Sequence, residues 1–378
     1  MTFRFYLPTR VFFGEGVLKE HGDFLGRLGR RALVVTGRKS AIVSGAMADF
    51  EELAKSLGLS WIIYDEVAAN PTLETVAKAI DLARGEKVDL VIGIGGGSPL
   101  DTAKAVALLA PNRAEAAELY EAKLPVDSLP MVAIPTTAGT GSEVTQNAVF
   151  TLPDKQTKKG FSDDRCFPRV ALVDPRYTYT LPRDVTIDTA LDALSHAVEG
   201  YLSKRSTPLT DTLAMEAIKI FSQHKHGLLE DELTPVTRNE LMYASTLAGM
   251  VIAHTRTTLL HTLGYPLTYS HDIPHGRANG YLLAAYLEFI QPAEPVKVDT
   301  LLKALGMNSV AEIQELIRRL LPPATQFSKA ELERMASLVV NAESLTFTAR
   351  RATLDDLYGI LAKSLGQINY LPSPLTVR

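Results

Sequence analysis

Through the first half of the chain, short β-branched runs alternate with stretches of helical periodicity, and this alternation constrains the fold more than any other feature. Residues 31–36 (RALVVT) predict a buried strand ended by Gly37, residues 46–57 a helix, SWIIYDEV from Ser60 a second strand, and residues 72–84, after Asn70-Pro71, a second helix. The pattern continues with a strand at 88–94 (VDLVIGI) and a helix at 99–109, and MVAIPT from Met131 and RVALVD from Arg169 add two more strands. Such an order predicts an open parallel sheet of Rossmann type. After about Leu181 the strand runs vanish and amphipathic segments take over, at 187–202, 210–221 and 238–254. The expected architecture is therefore an α/β domain over residues 1–180 and an all-α domain over 181–378, with a cleft between them. The length of 378 residues, too great for one ordinary core, agrees. A tail is expected at 371–378, which carries two prolines.

Composition narrows the partners. With 46% hydrophobic and 22% charged residues the chain can bury a large core, and a net charge of −4 offers no field for phosphate backbones or anionic lipid. Nucleic acid is not an expected partner. No apolar run reaches the roughly 18 residues of a membrane helix, and residues 1–7 lack the pattern of a signal peptide, so a cytoplasmic protein is expected. Cys166, the only cysteine, excludes an internal disulfide and a thiolate zinc site, and is expected to be an inert structural thiol.

In VIGIGGGSPLD a strand runs into Gly95, Gly96, Gly97 and Ser98 and then a helix. Glycine admits close backbone approach there, and the helix N-terminus offers free N–H groups and a positive dipole end to a pyrophosphate. A tight turn without ligand would read the same way, and the loop matches neither a full G-x-G-x-x-G nor a Walker motif. A second strand-end loop, PTTAGTGSEVT from Pro135, supplies hydroxyls and amides, so both loops lie where open α/β sheets bind ligands. Cofactor choice is expected after the first strand. There Gly37-Arg38-Lys39 places two cations and no carboxylate, which favours NADP(H) over NAD(H).

A metal constellation follows. Asp192 and His196, four apart in IDTALDALSHAVEGYL, project from one helix face and can share an ion, although such a pair is often a surface ion pair. His261 is read as ending an apolar helical stretch. His275, after Pro274, falls in the first turn of a helix, where the dipole favours the neutral ring that ligates metal. His271 and His254 compete for the same role, and the spacing alone leaves the choice open. Three histidines and a carboxylate suit Fe(II), with Zn(II) also possible.

These segments, with FYLPTRVFFGEG, GIGGGSPLD, DALSHAVEGYL, AGM, HTLGYPLT and PHGRAN, resemble the iron-containing (group III) alcohol dehydrogenase family over nearly the whole chain. The resemblance implies a Rossmann-like domain joined to an all-helical one, a dehydroquinate synthase-like architecture, with metal and nicotinamide meeting in the cleft. It implies Asp192, His196, His261 and His275 as ligands, the pyrophosphate on Gly95, Gly96, Gly97 and Ser98, and Asp101 near the nicotinamide. Thr136, Thr137, Thr140 and Ser142 would line the cofactor, with Asn70 and Lys159 as further contacts. A small alcohol or aldehyde as substrate and a homodimer, joined through a strand at 3–7, are also implied. One position departs: many members carry a second histidine where this chain has Tyr265, a phenol able to pass a proton but not poised for it near neutral pH. Two rivals remain, a dehydroquinate synthase-like lyase, which would need a basic cluster for a phosphorylated acid, and a catalytically silent protein that binds nucleotide and metal.

Overall fold

The computed structural model describes residues 2–121 and 124–366; the tail expected at 371–378 lies outside the described residues. Eight strands form in chain order, β1 (Arg10–Phe13), β2 (Arg31–Thr36), β3 (Ser60–Tyr64), β4 (Leu90–Gly95), β5 (Met131–Pro135), β6 (Asn147–Leu152), β7 (Thr157–Ser162) and β8 (Val170–Val173). Between them lie helices α1 (Val17–His21), α2 (Leu25–Leu28), α3 (Ser40–Val43), α4 (Ala46–Leu57), α5 (Leu73–Gly85) and α6 (Gly97–Asn112). Six strands make one sheet in the order β1-β8-β5-β4-β2-β3, parallel throughout. Its central strands are buried on both faces, which explains why they read as continuous apolar runs rather than alternating ones.

Among the described residues, helices joined by turns and loops follow β8: α7 (Arg183–Leu202), α8 (Pro208–Glu230), α9 (Pro235–Thr255), α10 (Leu259–His271), α11 (His275–Ile290), α12 (Pro295–Ala304), α13 (Val310–Leu320), α14 (Lys329–Val339) and α15 (Leu354–Leu365). Their apolar faces merge into one core around α7, whose residues 186–202 are buried almost without interruption. Among the described residues, no helix is long and apolar enough to cross a membrane.

The structure departs from the sequence reading at four places. Strands β6 and β7 form an antiparallel hairpin that was not expected, tied at its base by the bridge between Thr72 and Thr151. Residues 3–7 make no strand; the first strand is β1 at the sheet edge, and Phe5 instead stacks on the His254 ring at 4.0 Å. Helix α6 begins at Gly97 rather than Pro99, so the glycine loop supplies its first turn. His261 does not end a helix but lies in the first turn of α10, because the chain breaks at Arg256 between α9 and α10.

One contact fixes how the halves meet. The loop after β5 lies on α9, and a Cβ added to Gly249 would stand 2.5 Å from the Gly141 carbonyl oxygen and 2.7 Å from its Cα. Backbone meets backbone here, so no side chain can give way. Gly249→Ala should gain about 1 kcal/mol of helix propensity but lose more to overpacking, a net cost of roughly 1–2 kcal/mol. Thermal unfolding should show a lower midpoint for the variant; an unchanged or higher one would show that the seam is not tight.

Candidate functional site

The glycine loop and the second loop pack on each other above the sheet. Gly95 takes φ +152°, a conformation that side chains rarely adopt, and a Cβ on Gly97 would come within 2.8 Å of the Thr140 methyl. A Cβ on Gly96 would stand 3.0 Å from the Thr137 hydroxyl. Thr137 and Thr140 thus border the free end of α6, while the Thr136 hydroxyl is buried without a partner.

Asp101 and Ser142 are occupied with each other rather than free for a nucleotide. The Ser142 hydroxyl donates to Asp101 Oδ1 at 2.7 Å, and the Val149 N–H donates to Oδ2 at 2.9 Å. Beside them Lys104, wholly buried, donates to Ser142 Oγ, Thr145 Oγ1 and the Asn147 carbonyl. Burial pushes its ammonium below the usual lysine range, and the Asp101 charge opposes that shift. This buried pair ties α6 to the second loop. Beside the glycine loop, at the end of the neighbouring parallel strand β2, Arg38 and Lys39 follow Gly37 as exposed side chains with no ion pair among the described residues. Asn70, with φ +57°, accepts the Thr151 hydroxyl proton on its carbonyl at the hairpin base.

On the helical side, Asp192, His261 and His275 each bring one ligand atom within 4.8 Å of the others. Asp192 Oδ1 is 3.5 Å from His261 Nε2 and 3.8 Å from His275 Nε2. Close packing makes this possible: a Cβ on Gly276 would overlap the Asp188 carbonyl, so only glycine lets the start of α11 lie against α7. The fourth expected ligand, His196, stands outside this spacing. Its ring stacks on His261 at 4.4 Å, and its Nδ1 lies 3.3 Å from the Gly139 carbonyl of the second loop. The competing histidines are elsewhere: His271 packs on Phe327, and His254 takes the Tyr6 N–H on Nε2.

Electrostatics fit a cation. Burial alone would raise Asp192, but the surrounding histidines overcome it and hold the carboxyl below its ordinary range. Burial drives His196 down to about 4 and His275 well below its usual value, so both rings are neutral at pH 7. For His261, burial is outweighed by Glu199 and Asp192, which push it up to about 9. His261 Nε2 is buried with no hydrogen-bond partner beside Asp192, and His275 Nε2, which faces the same carboxylate, has only a 3.4 Å contact with Asn279, so a divalent ion would satisfy this set.

Residues that were not expected complete the site. Glu199, wholly buried on α7, accepts from Thr258 N–H, Thr258 Oγ1 and Leu260 N–H on one oxygen and from His261 Nδ1–H on the other. It caps α10 and turns His261 Nε2 toward Asp192. Asn279 donates to Asp192 Oδ1 at 3.1 Å. Lys158, not Lys159, faces the cluster: burial pushes its ammonium down to about 8 against the pull of Asp192 and Asp101, and it lies 5.9 Å from the Tyr265 ring centre. Lys159 is exposed and sits over Tyr120. Tyr265 stacks on His275 at 5.8 Å; burial and nearby carboxylates raise its phenol, so it stays protonated near neutrality. Cys166 is buried and its thiol is pushed up to about 12, the expected inert thiol.

Comparison with known proteins places this arrangement. Residues 8–175 match the iron-containing alcohol dehydrogenase family, and residues 186–365 match the C-terminal part of the Fe-containing alcohol dehydrogenase family. Alcohol dehydrogenase 4 of Saccharomyces cerevisiae (strain YJM789) is 35% identical over 282 residues, 74% of this chain and 73% of that protein. An iron-containing alcohol dehydrogenase from Thermotoga maritima superposes with a TM-score of 0.91 at 41% identity, covering 97% of this chain and 100% of that one. A sulfoacetaldehyde reductase from Bifidobacterium kashiwanohense, solved in complex with NAD+, gives a TM-score of 0.86 at 27% identity over 96% of this chain and 99% of that one. The fold is that of an oxidoreductase of this kind. The chain belongs to the iron-containing alcohol dehydrogenase family.

Glu199→Gln isolates the carboxylate between α10 and His261. An amide brings two N–H donors into a niche lined by five donors, the His261 backbone N–H included, so no rotamer satisfies them all. The variant should lose roughly 1–3 kcal/mol of stability. Denaturant titration of the metal-free protein tests this; an unchanged midpoint would contradict the capping role.

Proposed function

We propose that this chain transfers a hydride between NADP(H) and a small primary alcohol or aldehyde, at a divalent metal held by Asp192, His261 and His275 with His196 as the fourth ligand. The observation that carries the reading is the convergence of a buried carboxylate with two imidazole nitrogens, that of His261 without a partner, beside two loops suited to a pyrophosphate. When bound, the ion supplies Lewis acidity toward the substrate oxygen and the nicotinamide supplies the hydride acceptor or donor. Fe(II) is the ion the family favours, and Zn(II) accepts the same ligands.

The protein's own residues do the positioning. Glu199 keeps the His261 proton on Nδ1, Asn279 orients Asp192, and His196 bridges to the second loop through Gly139. Because His261 holds a second proton up to about pH 9, metal uptake at neutral pH must release it. Gly95, Gly96, Gly97 and Ser98 receive the pyrophosphate, with Thr136, Thr137 and Thr140 beside it. Asp101 and Ser142 support this loop from below, Asn70 supports the hairpin, and Lys158 replaces Lys159 as the cation near the nicotinamide. Tyr265 shields one flank of His275 and stays protonated near neutrality.

NADP(H) is favoured because the exposed Arg38 and Lys39 can pair with a 2′-phosphate while no carboxylate repels it. A side chain at Gly37 would also crowd the Val67 carbonyl, 3.2 Å from an added Cβ. The lyase reading lacks its basic cluster, since Arg277 is committed to Asp188 in a two-point ion pair. The proposed assembly is a homodimer.

The test is to strip the protein of metal, restore Fe(II) or Zn(II) anaerobically and follow NADPH and NADH oxidation with butanal. Turnover should require the ion, and kcat/KM should be at least about tenfold higher with NADPH, the scale of one charge-assisted contact. Comparable values for the two cofactors would refute the assignment to Gly37, Arg38 and Lys39. His261→Ala should lose bound metal and activity together, and an active, metal-free variant would sink the metal site.

A further inference from the structure

Arg256 joins α9 to α10 in a backbone conformation that suits glycine. Its φ of +64° and ψ of 167° lie in a region essentially reserved for glycine, and strain of this kind persists where the surroundings impose it. The Arg256 N–H closes α9 on the Ile252 carbonyl, and the Thr255 hydroxyl donates to the Arg256 carbonyl. Both bonds use backbone atoms alone, so a glycine would form them without strain. The arginine side chain therefore needs a separate reason.

That side chain reaches across the cleft. Its Nη1 donates to Asn147 Oδ1 at the start of β6, and this is the guanidinium's single hydrogen bond among the described residues. No carboxylate lies within ion-pair distance of it among them, although Glu343 and Asp164 act on it from farther off and Arg205 opposes it. Burial and then the Arg205 charge weigh against the cation, yet it stays half-buried with most of its donors unmatched. Asn147 likewise uses its side-chain oxygen and its carbonyl but leaves its amide N–H groups free. A bond to a neutral amide is poor compensation for a half-buried guanidinium; a carboxylate, which accepts two parallel N–H bonds, is a good one.

The place is also telling. Thr257, the next residue, faces the Tyr265 hydroxyl, Thr258 is held by Glu199, and His261 follows three positions later. The Arg256–Asn147 bond thus joins the helical half that carries the histidines to the hairpin that carries Lys158.

We propose that Arg256, with the Asn147 amide, recognises a single anionic group at the distal end of the substrate, so that the preferred substrates are small aldehydes or alcohols bearing one carboxylate or sulfonate. The proposal rests on the hydride-transfer reading above and narrows its substrate class. One guanidinium beside one amide matches a monoanion; Arg277 is already neutralised by Asp188, and Lys158, the other cation near the histidines, lies over Tyr265 beside the cluster itself.

The test compares butanal with 4-oxobutanoate, the same chain length with a terminal carboxylate, using metal-loaded enzyme and NADPH. Wild type should show kcat/KM at least about tenfold higher for 4-oxobutanoate, the scale of a charge-assisted hydrogen bond. In Arg256→Gly, which relieves the backbone, the ratio should fall to near one while the thermal midpoint is kept or raised. Calorimetric binding of 4-hydroxybutanoate to the cofactor-loaded protein should weaken by a similar factor in the variant. A wild-type ratio near one, or a ratio and binding that survive in Arg256→Gly, would overturn the proposal and leave hydride transfer standing. Failure of wild type to turn over either aldehyde would instead bring down the hydride-transfer reading, and this proposal with it.

Discussion

The backbone contact between Gly141 and Gly249 sets the spacing on which the rest of the site depends. The loop that follows β5 belongs to the sheet by sequence, yet it is fastened to the helices. The Thr246 hydroxyl donates to Glu143, the Gln146 amide donates to the Ala253 carbonyl, and Gly139 meets His196. Each such buried hydrogen bond contributes on the order of 1 kcal/mol, but their larger effect is geometric. They hold one nucleotide loop in a fixed relation to the histidines, so the two halves share a rigid seam at the floor of the cleft.

Along that seam the interior contains more ionisable groups than a core tolerates without partners. Lys104, Asp101, Glu143, Asp192 and Glu199 are all buried or nearly so. Isolated, each would be strongly destabilising. The arrangement answers this group by group: Lys104 with three oxygens and a nearby carboxylate, Glu199 with five donors, Asp192 with Asn279 and the histidines. Apolar residues of similar volume would serve stability as well. What the charges add is orientation, of the second loop by Lys104 and of the His261 ring by Glu199.

Much of the sheet was legible because its strands are continuous apolar runs, and β2 and α4 match their expected limits. The hairpin was not, since TKKGFS in β7 has neither a β-branched run nor clean alternation. Helix breaks were equally hidden: the sequence around Arg256 keeps its apolar spacing, so His261 read as the end of one helix when it opens another. Which of two neighbouring lysines is buried was hidden for a different reason. Lys158 pairs with Thr151 and Lys159 with Phe150, so neighbouring lysines point to opposite faces, and a one-residue choice that composition cannot make decides which enters the cleft. Glu199 could have been found, because residues 192, 196 and 199 share one face of a helix buried nearly all round. A carboxylate there requires donors.

The account turns on whether the histidine and carboxylate atoms that converge on Asp192 hold an ion. X-ray absorption at the metal edge of protein purified without oxygen and loaded with Fe(II) measures this directly. The account predicts one tightly held ion per chain, with nitrogen and oxygen ligands at about 2.0–2.2 Å and the outer-shell scattering of three imidazoles. A spectrum fitted by water and carboxylate oxygens alone, or an ion that dialyses away, would contradict it.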